Sequence, residues 1–111
     1  MTQFQQYDLG HQQRGTTVVM TLRGNAANVR LLDPINFEHF RNGRAHRYHG
    51  CLAERSPVRL TVPTTGRWYV TVDLMGMRAG ARVESSVRVE AALPGLGRYF
   101  FGCQRAKERP P

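Results

Sequence analysis

The stretch VRLTVPTTGRWYVTVDL, residues 58–74, decides how the rest of the chain is read. Val58, Leu60 and Val62 alternate with Arg59 and Thr61; after Pro63, Thr64, Thr65 and Gly66 the alternation resumes with Trp68, Val70, Val72 and Leu74 on one face. A period of two, with β-branched and aromatic residues at the apolar positions, is the pattern of half-buried strands, and the short break between the two runs predicts a β-hairpin. Two strands alone are marginal in water, so this apolar face requires a larger sheet and a second layer to cover Trp68.

The same alternation returns on both sides of this stretch. Towards the N-terminus, Val18, Met20 and Leu22 alternate with Thr17, Val19 and Thr21, Gly24 and Asn25 tolerate positive φ, and Val29 and Leu31 follow on the face opposite Arg30. That predicts a second hairpin. Residues 4–9 read as a short first strand ended by Gly10, and Val83, Ser85, Val87 and Val89 alternate with Arg82, Glu84, Ser86, Arg88 and Glu90 beyond a glycine-containing turn over 75–81. Pro34 stops the third strand, and Ile35, Phe37 and Phe40 are spaced as a short helical turn near 35–40, tucked against a sheet edge. The expected fold is all-β, an antiparallel, jelly-roll-like β-sandwich of about six to eight strands. One domain is expected over 1–92, with 93–111 a partly disordered C-terminal extension in which Tyr99, Phe100 and Phe101 read as a packed extra strand or, alternatively, an exposed sticky patch, and with no order expected in its last eight residues. Val18, Met20, Leu22, Val29, Leu31, Val58, Leu60, Val62, Trp68, Val70, Val72, Val83, Val87 and Val89 are the expected buried layer.

The 111 residues carry 16 basic and 8 acidic side chains, a net charge of +8, which favours anionic partners: nucleotides, nucleic acid or acidic proteins. The surplus is arginine, with Lys107 the single lysine. Between residues 41 and 55 the alternation dissolves into what reads as a long, polar, basic loop, and long loops in compact domains are usually functional or mobile. Arg41, Arg44, His46, Arg47, Tyr48, His49 and Arg55 are the candidate anion-binding residues, because guanidinium forks match phosphate and carboxylate oxygens and an aromatic ring offers a stacking surface. The competing reading is a solvated polar surface.

Other chemistries have less support. His39, His46 and His49 precede Cys51, but the spacing fits no standard zinc pattern, and in an extended segment His46 and His49 face opposite ways. No metal site and no cofactor are expected. Asp8, Asp33 and Asp73 stand at strand ends, where turn and cap hydrogen bonding is the ordinary explanation, and no serine lies in a nucleophile elbow. Catalytic residues are therefore not assigned; phosphodiester chemistry using His46 and His49 ranks third, after a binding module and a structural or homo-oligomerising domain. With neither an apolar start nor a run of about 18 apolar residues, the chain is expected to be cytoplasmic with no membrane partner, and Cys51 and Cys103 are expected to be free thiols.

Six blocks in one order carry a family resemblance: YDLGH (7–11), LRGNAANVRLLD (22–33), NFEHFRNGRAHRYHG (36–50), RSPVRLTVP (55–63), GRWYVTVDL (66–74) and SSVRV (85–89). Together they resemble an uncharacterised bacterial family, a catalogued domain of unknown function found as small one-domain proteins and sometimes joined to Toll/interleukin-1-receptor (TIR) domains. The resemblance implies an all-β sandwich and, where TIR domains are attached, a sensing or binding role in defence signalling. Two features depart from the pattern: Cys51 stands where a glycine is expected, and the tail after Ala92 is not shared.

Overall fold

A computed structural model describes residues 4–77 and 79–91, and the backbone of 106–109. The strands are β1 (Phe4–Gln12), β2 (Thr17–Gly24), β3 (Ala27–Leu32), β4 (His46–Ala53), β5 (Val58–Thr61), β6 (Gly66–Asp73), β7 (Val83–Glu90) and β8 (Ala106–Arg109), with one helix, α1 (Pro34–Arg41), between β3 and β4. They form two antiparallel sheets, ordered β1-β6-β3-β4-β8 and β5-β2-β7, so the all-β sandwich expected from the alternation is the fold.

Neither expected hairpin forms. β5 pairs with β2 in the smaller sheet, while β6 lies between β1 and β3 in the larger one. Residues 62–65 therefore carry the chain from one layer to the other, and β2 and β3 are likewise split between sheets. Alternation identifies which face is apolar; it does not say whether two successive apolar faces lie side by side in one sheet or face each other across the core. Trp68 sits at this corner, 5% exposed, its indole N–H donating to the Thr64 carbonyl at 2.8 Å.

Ten of the expected core residues are buried, from Val18 and Met20 through Val70 and Val72, and Leu22, Val83 and Val87 pack against them half-buried. Val89 departs, at 44% exposed, because β7 is the edge strand of its sheet, with one flank lacking a neighbour among the described residues. Val19, assigned to the wet face, is buried: its ladder neighbours are Arg59 and Arg88, both bonded to Glu90, and their aliphatic stems can cover it.

The helix at 35–40 is present and slightly longer. Asp33 caps it, accepting from the Asn36 N–H at 2.8 Å, and Pro34 occupies the first turn, where the missing N–H costs nothing. Phe37 and Phe40 bury against the outer face of the larger sheet with Leu32, Phe4, Tyr48 and Tyr69, forming a second small core. The fold thus has three layers, with the smaller sheet on one side of this sheet and α1 on the other.

The segment read as a basic loop is largely strand β4, which corrects the sequence reading of residues 41–55. Its polar side chains hid the pairing, and Gly50 shows how tight that pairing is: a Cβ there would lie 1.9 Å from the Val29 carbonyl oxygen. β1 also runs past Gly10 through a bulge to Gln12. In the C-terminal extension, four of the last eight residues pair with β4 as β8, an addition favoured because an edge strand offers unpaired N–H and C=O groups to an extended segment of almost any composition. Tyr99, Phe100, Phe101 and Cys103 lie outside the described residues. Cys51 is disulfide-bonded, so its expected free thiol is corrected; that expectation rested on compartment, whereas a disulfide depends on which sulfurs the fold brings together.

Candidate functional site

The seven candidate anion-binding residues do not converge. Arg41 ends α1 and pairs with Glu38 at 3.1 Å, and Arg44 is exposed in the turn that follows. His46 and Tyr48 share the outer, helix-covered face of β4; His46 is buried with its Nδ1 2.9 Å from the Arg44 carbonyl oxygen, and its ring packs on Phe40. His49 points the other way and meets Trp68 edge-on at 6.1 Å. Arg47 is exposed, its backbone N–H donating to the Asn36 side chain at 2.7 Å and tying α1 to β4. Arg55 lies beyond the far end of the strand, roughly 23 Å away for the seven steps of β4. The split of His46 and His49 across β4 removes the geometry that a shared phosphodiester chemistry requires. The site chemistry is further limited at this end by α1, whose C-terminal carbonyls repel anions and account for His39 and Arg41 in its last turn.

A second group of arginines gathers at the opposite end, where the turns after β2, β4 and β6 meet. An open groove of about 820 Å³ is lined by Arg23, Leu74, Ala81, Arg82, Val83 and Glu84. Gly24 (φ 117°) shapes it: a Cβ there would come within 2.5 Å of the Arg82 carbonyl oxygen. Asn25 fixes Arg82, its N–H donating to the Arg82 carbonyl and its side-chain oxygen accepting from the Arg82 N–H, both at 2.8 Å. Arg55 stands at the same end of the sandwich, since the Ser56 hydroxyl accepts from the Leu22 N–H at 2.8 Å, but on the β5 side of β2 and outside the lining of the groove. Arg23, Arg55 and Arg82 are exposed, and none has a carboxylate partner among the described residues, although Glu84 stands next to Arg23 across the β2–β7 ladder. Leu74 and Val83, packed on the core, form the apolar floor.

Another arginine is used differently. Arg30, on the outer face of β3, is 1% exposed and ion-paired through Nη1 to Asp73, which is 2% exposed. The other Asp73 oxygen accepts from the Asn28 side chain at 3.0 Å and the Met75 N–H at 2.9 Å. The guanidinium lies over the rings of Phe40 and Tyr48, 5.0 Å from each centroid. Sequence reasoning passed over Arg30, Arg23 and Arg82. Arg30 did carry a signal, a charge inside the apolar run Val29-Arg30-Leu31-Leu32, where both faces of the strand are covered.

Two carboxylates elsewhere, Asp8 and Glu90, are engaged. Asp8 is held below its ordinary pKa of 3.8 first by the Gly10 backbone N–H and then by Arg67, and Glu90 is lowered first by its hydrogen bond to Arg88. Among the described residues no helix is long and apolar enough to cross a membrane, and no three His, Cys, Asp or Glu side chains gather as a metal site would require.

Two sheets, a short covering helix and arginine-centred surfaces define a small all-β sandwich domain. The chain belongs to the family of a domain of unknown function, DUF1883, whose model matches residues 2–92. No curated protein and no solved structure matches it.

Proposed function

We propose that this protein is a binding module for a phosphate-bearing ligand of nucleotide size, received in the groove between Arg23 and Arg82. One observation carries the reading: two exposed guanidiniums without carboxylate partners among the described residues flank a groove whose floor is apolar. Its volume lies in the range of small-molecule pockets, and the pairing of cationic walls with an apolar floor suits a ligand with an anionic end and a ring. Arg41, Arg44 and Arg47, exposed near the α1 end, are the competing basic surface, whereas His46, Tyr48 and His49 are divided between the two faces of β4 and Arg55 lies beyond its far end. The family resemblance adds a bacterial origin and a sensing role of the kind it implies where TIR domains are attached. For the compartment, the sequence favours the cytoplasm, whereas the disulfide at Cys51 favours an oxidising one.

Thermal shift with phosphate, a mononucleotide and a short single-stranded oligonucleotide tests this. A ligand at 100 times its dissociation constant adds about 2.7 kcal/mol to stability. The mononucleotide shift is expected to vanish in Arg23→Ala/Arg82→Ala and to persist in Arg44→Ala/Arg47→Ala; the reverse result moves the site to the α1 end. An oligonucleotide held by three arginines instead shows a slope of log affinity against log salt near −2. If nothing binds, the second reading gains: Val89 is exposed on edge strand β7, a surface suited to pairing with another copy, and sedimentation then reports a dimer.

A further inference from the structure

Arg30 has five N–H donors on its guanidinium, and one of its nitrogens, Nη1, is engaged by Asp73. Its Nε and Nη2 are buried and have no hydrogen-bond partner among the described residues, and the same is true of the Thr71 hydroxyl. Thr71 is the direct ladder neighbour of Arg30 on β6 and is 0% exposed. Nε–H and Nη2–H are the parallel pair on one edge of the guanidinium, the edge that grips two oxygens at once. Buried donors left unmatched are costly, so three of them side by side call for an acceptor.

We propose that this edge of Arg30, with the Thr71 hydroxyl, is a buried site for a small carboxylate, independent of the groove. All three groups can donate and two of them can only donate, so the occupant must present at least two acceptor lone pairs in one plane, as a carboxylate does. Asp73 does not compete for these donors, because its second oxygen is already taken by Asn28 and Met75. Phe40 and Tyr48 lie against the guanidinium face, so an acceptor would have to meet its buried edge. Gln6, exposed on β1 opposite Thr71, marks the solvent side. The ligand is of formate or acetate size, since the site lies in the packed layer beneath α1.

The test is a titration of the folded, ¹⁵N-labelled protein with sodium formate and acetate, chloride serving as the ionic control, read at the Arg30 Nε–H resonance. A saturable shift with carboxylate and not with chloride is expected. Thr71→Val keeps the side-chain shape and removes one donor, and is expected to weaken binding about tenfold. Arg30→Lys, if folded, keeps the charge and loses the fork, and binding disappears. No carboxylate-specific shift in the wild type, or an unchanged affinity in Thr71→Val, overturns the site. Phosphate binding in the groove is read separately, so either proposal can fail without the other.

Discussion

Arg30 and Arg82 belong to the same sandwich and meet opposite fates. Arg30 is sealed beneath α1, paired with Asp73 and covered by aromatic rings, whereas Arg82 stands exposed at the groove with its backbone fixed and its side chain free of carboxylates among the described residues. Removing a charge from water is repaid only by a well-placed counter-charge and further hydrogen bonds, so Arg30 is tied to Asp73 through one nitrogen while its other two call for an acceptor. Arg82 keeps its hydration and can exchange it for a ligand. A basic composition therefore says nothing about function until burial and pairing have sorted its members.

The sharpest way to break the comparison is to remove the partner of the buried arginine. Asp73→Ala strands Arg30 and also frees Asn28 and Met75, and a loss of about 3–5 kcal/mol is expected in urea unfolding. Loss of under 1 kcal/mol would mean that the pair is not committed. A similar loss, about 3–5 kcal/mol, is expected for Trp68→Ala, which empties the corner where β5 crosses to β6. Next comes the helix that seals Arg30: Asp33→Ala removes the N-cap and should cost about 1 kcal/mol. At the groove, Arg23→Ala and Arg82→Ala are each expected to change stability by less than about 0.5 kcal/mol, since neither is buried or ion-paired among the described residues. A melting temperature that falls by many degrees in either would make those arginines structural.

The smallest effect is in acid. Asp8 has its pKa lowered in the folded state, so its contribution is present above its ordinary value of 3.8 and is lost as pH falls through the lower folded value. Asp8→Asn should flatten that acid limb slightly while its side-chain oxygen still accepts from Gly10. An unchanged limb would assign the acid sensitivity to Glu90 and the other carboxylates.

Much of the architecture was legible because burial in a two-layer β fold repeats every second residue, and Val18, Met20, Val58, Leu60, Trp68, Val70 and Val72 follow that rule. The helix was legible for the same kind of reason, since Asp33 and Pro34 are local signals acting on their own neighbours. β4 escaped because its apolar content is low: His46 and Gly50 are buried there by pairing and by the helix, not by their own hydropathy. The candidate site was legible only as a composition. Arg41 and Arg44 were found by their density, but Arg23, at the end of β2, and Arg82, just before β7, are far apart in sequence and had no common signal.

By itself, then, the sequence determined most of the strands other than β4 and β8, which face of those strands is apolar, where the helix starts, and that the molecule carries a surplus of positive charge. Only the tertiary structure decided which strands pair, that β5 and β6 sit in different sheets, that Arg30 is buried against Asp73, and that three distant arginines share one end. The reason is range. Alternation and capping act over a few residues, while sheet partnership and charge pairing depend on groups tens of residues apart whose meeting is fixed by how the layers close on the core.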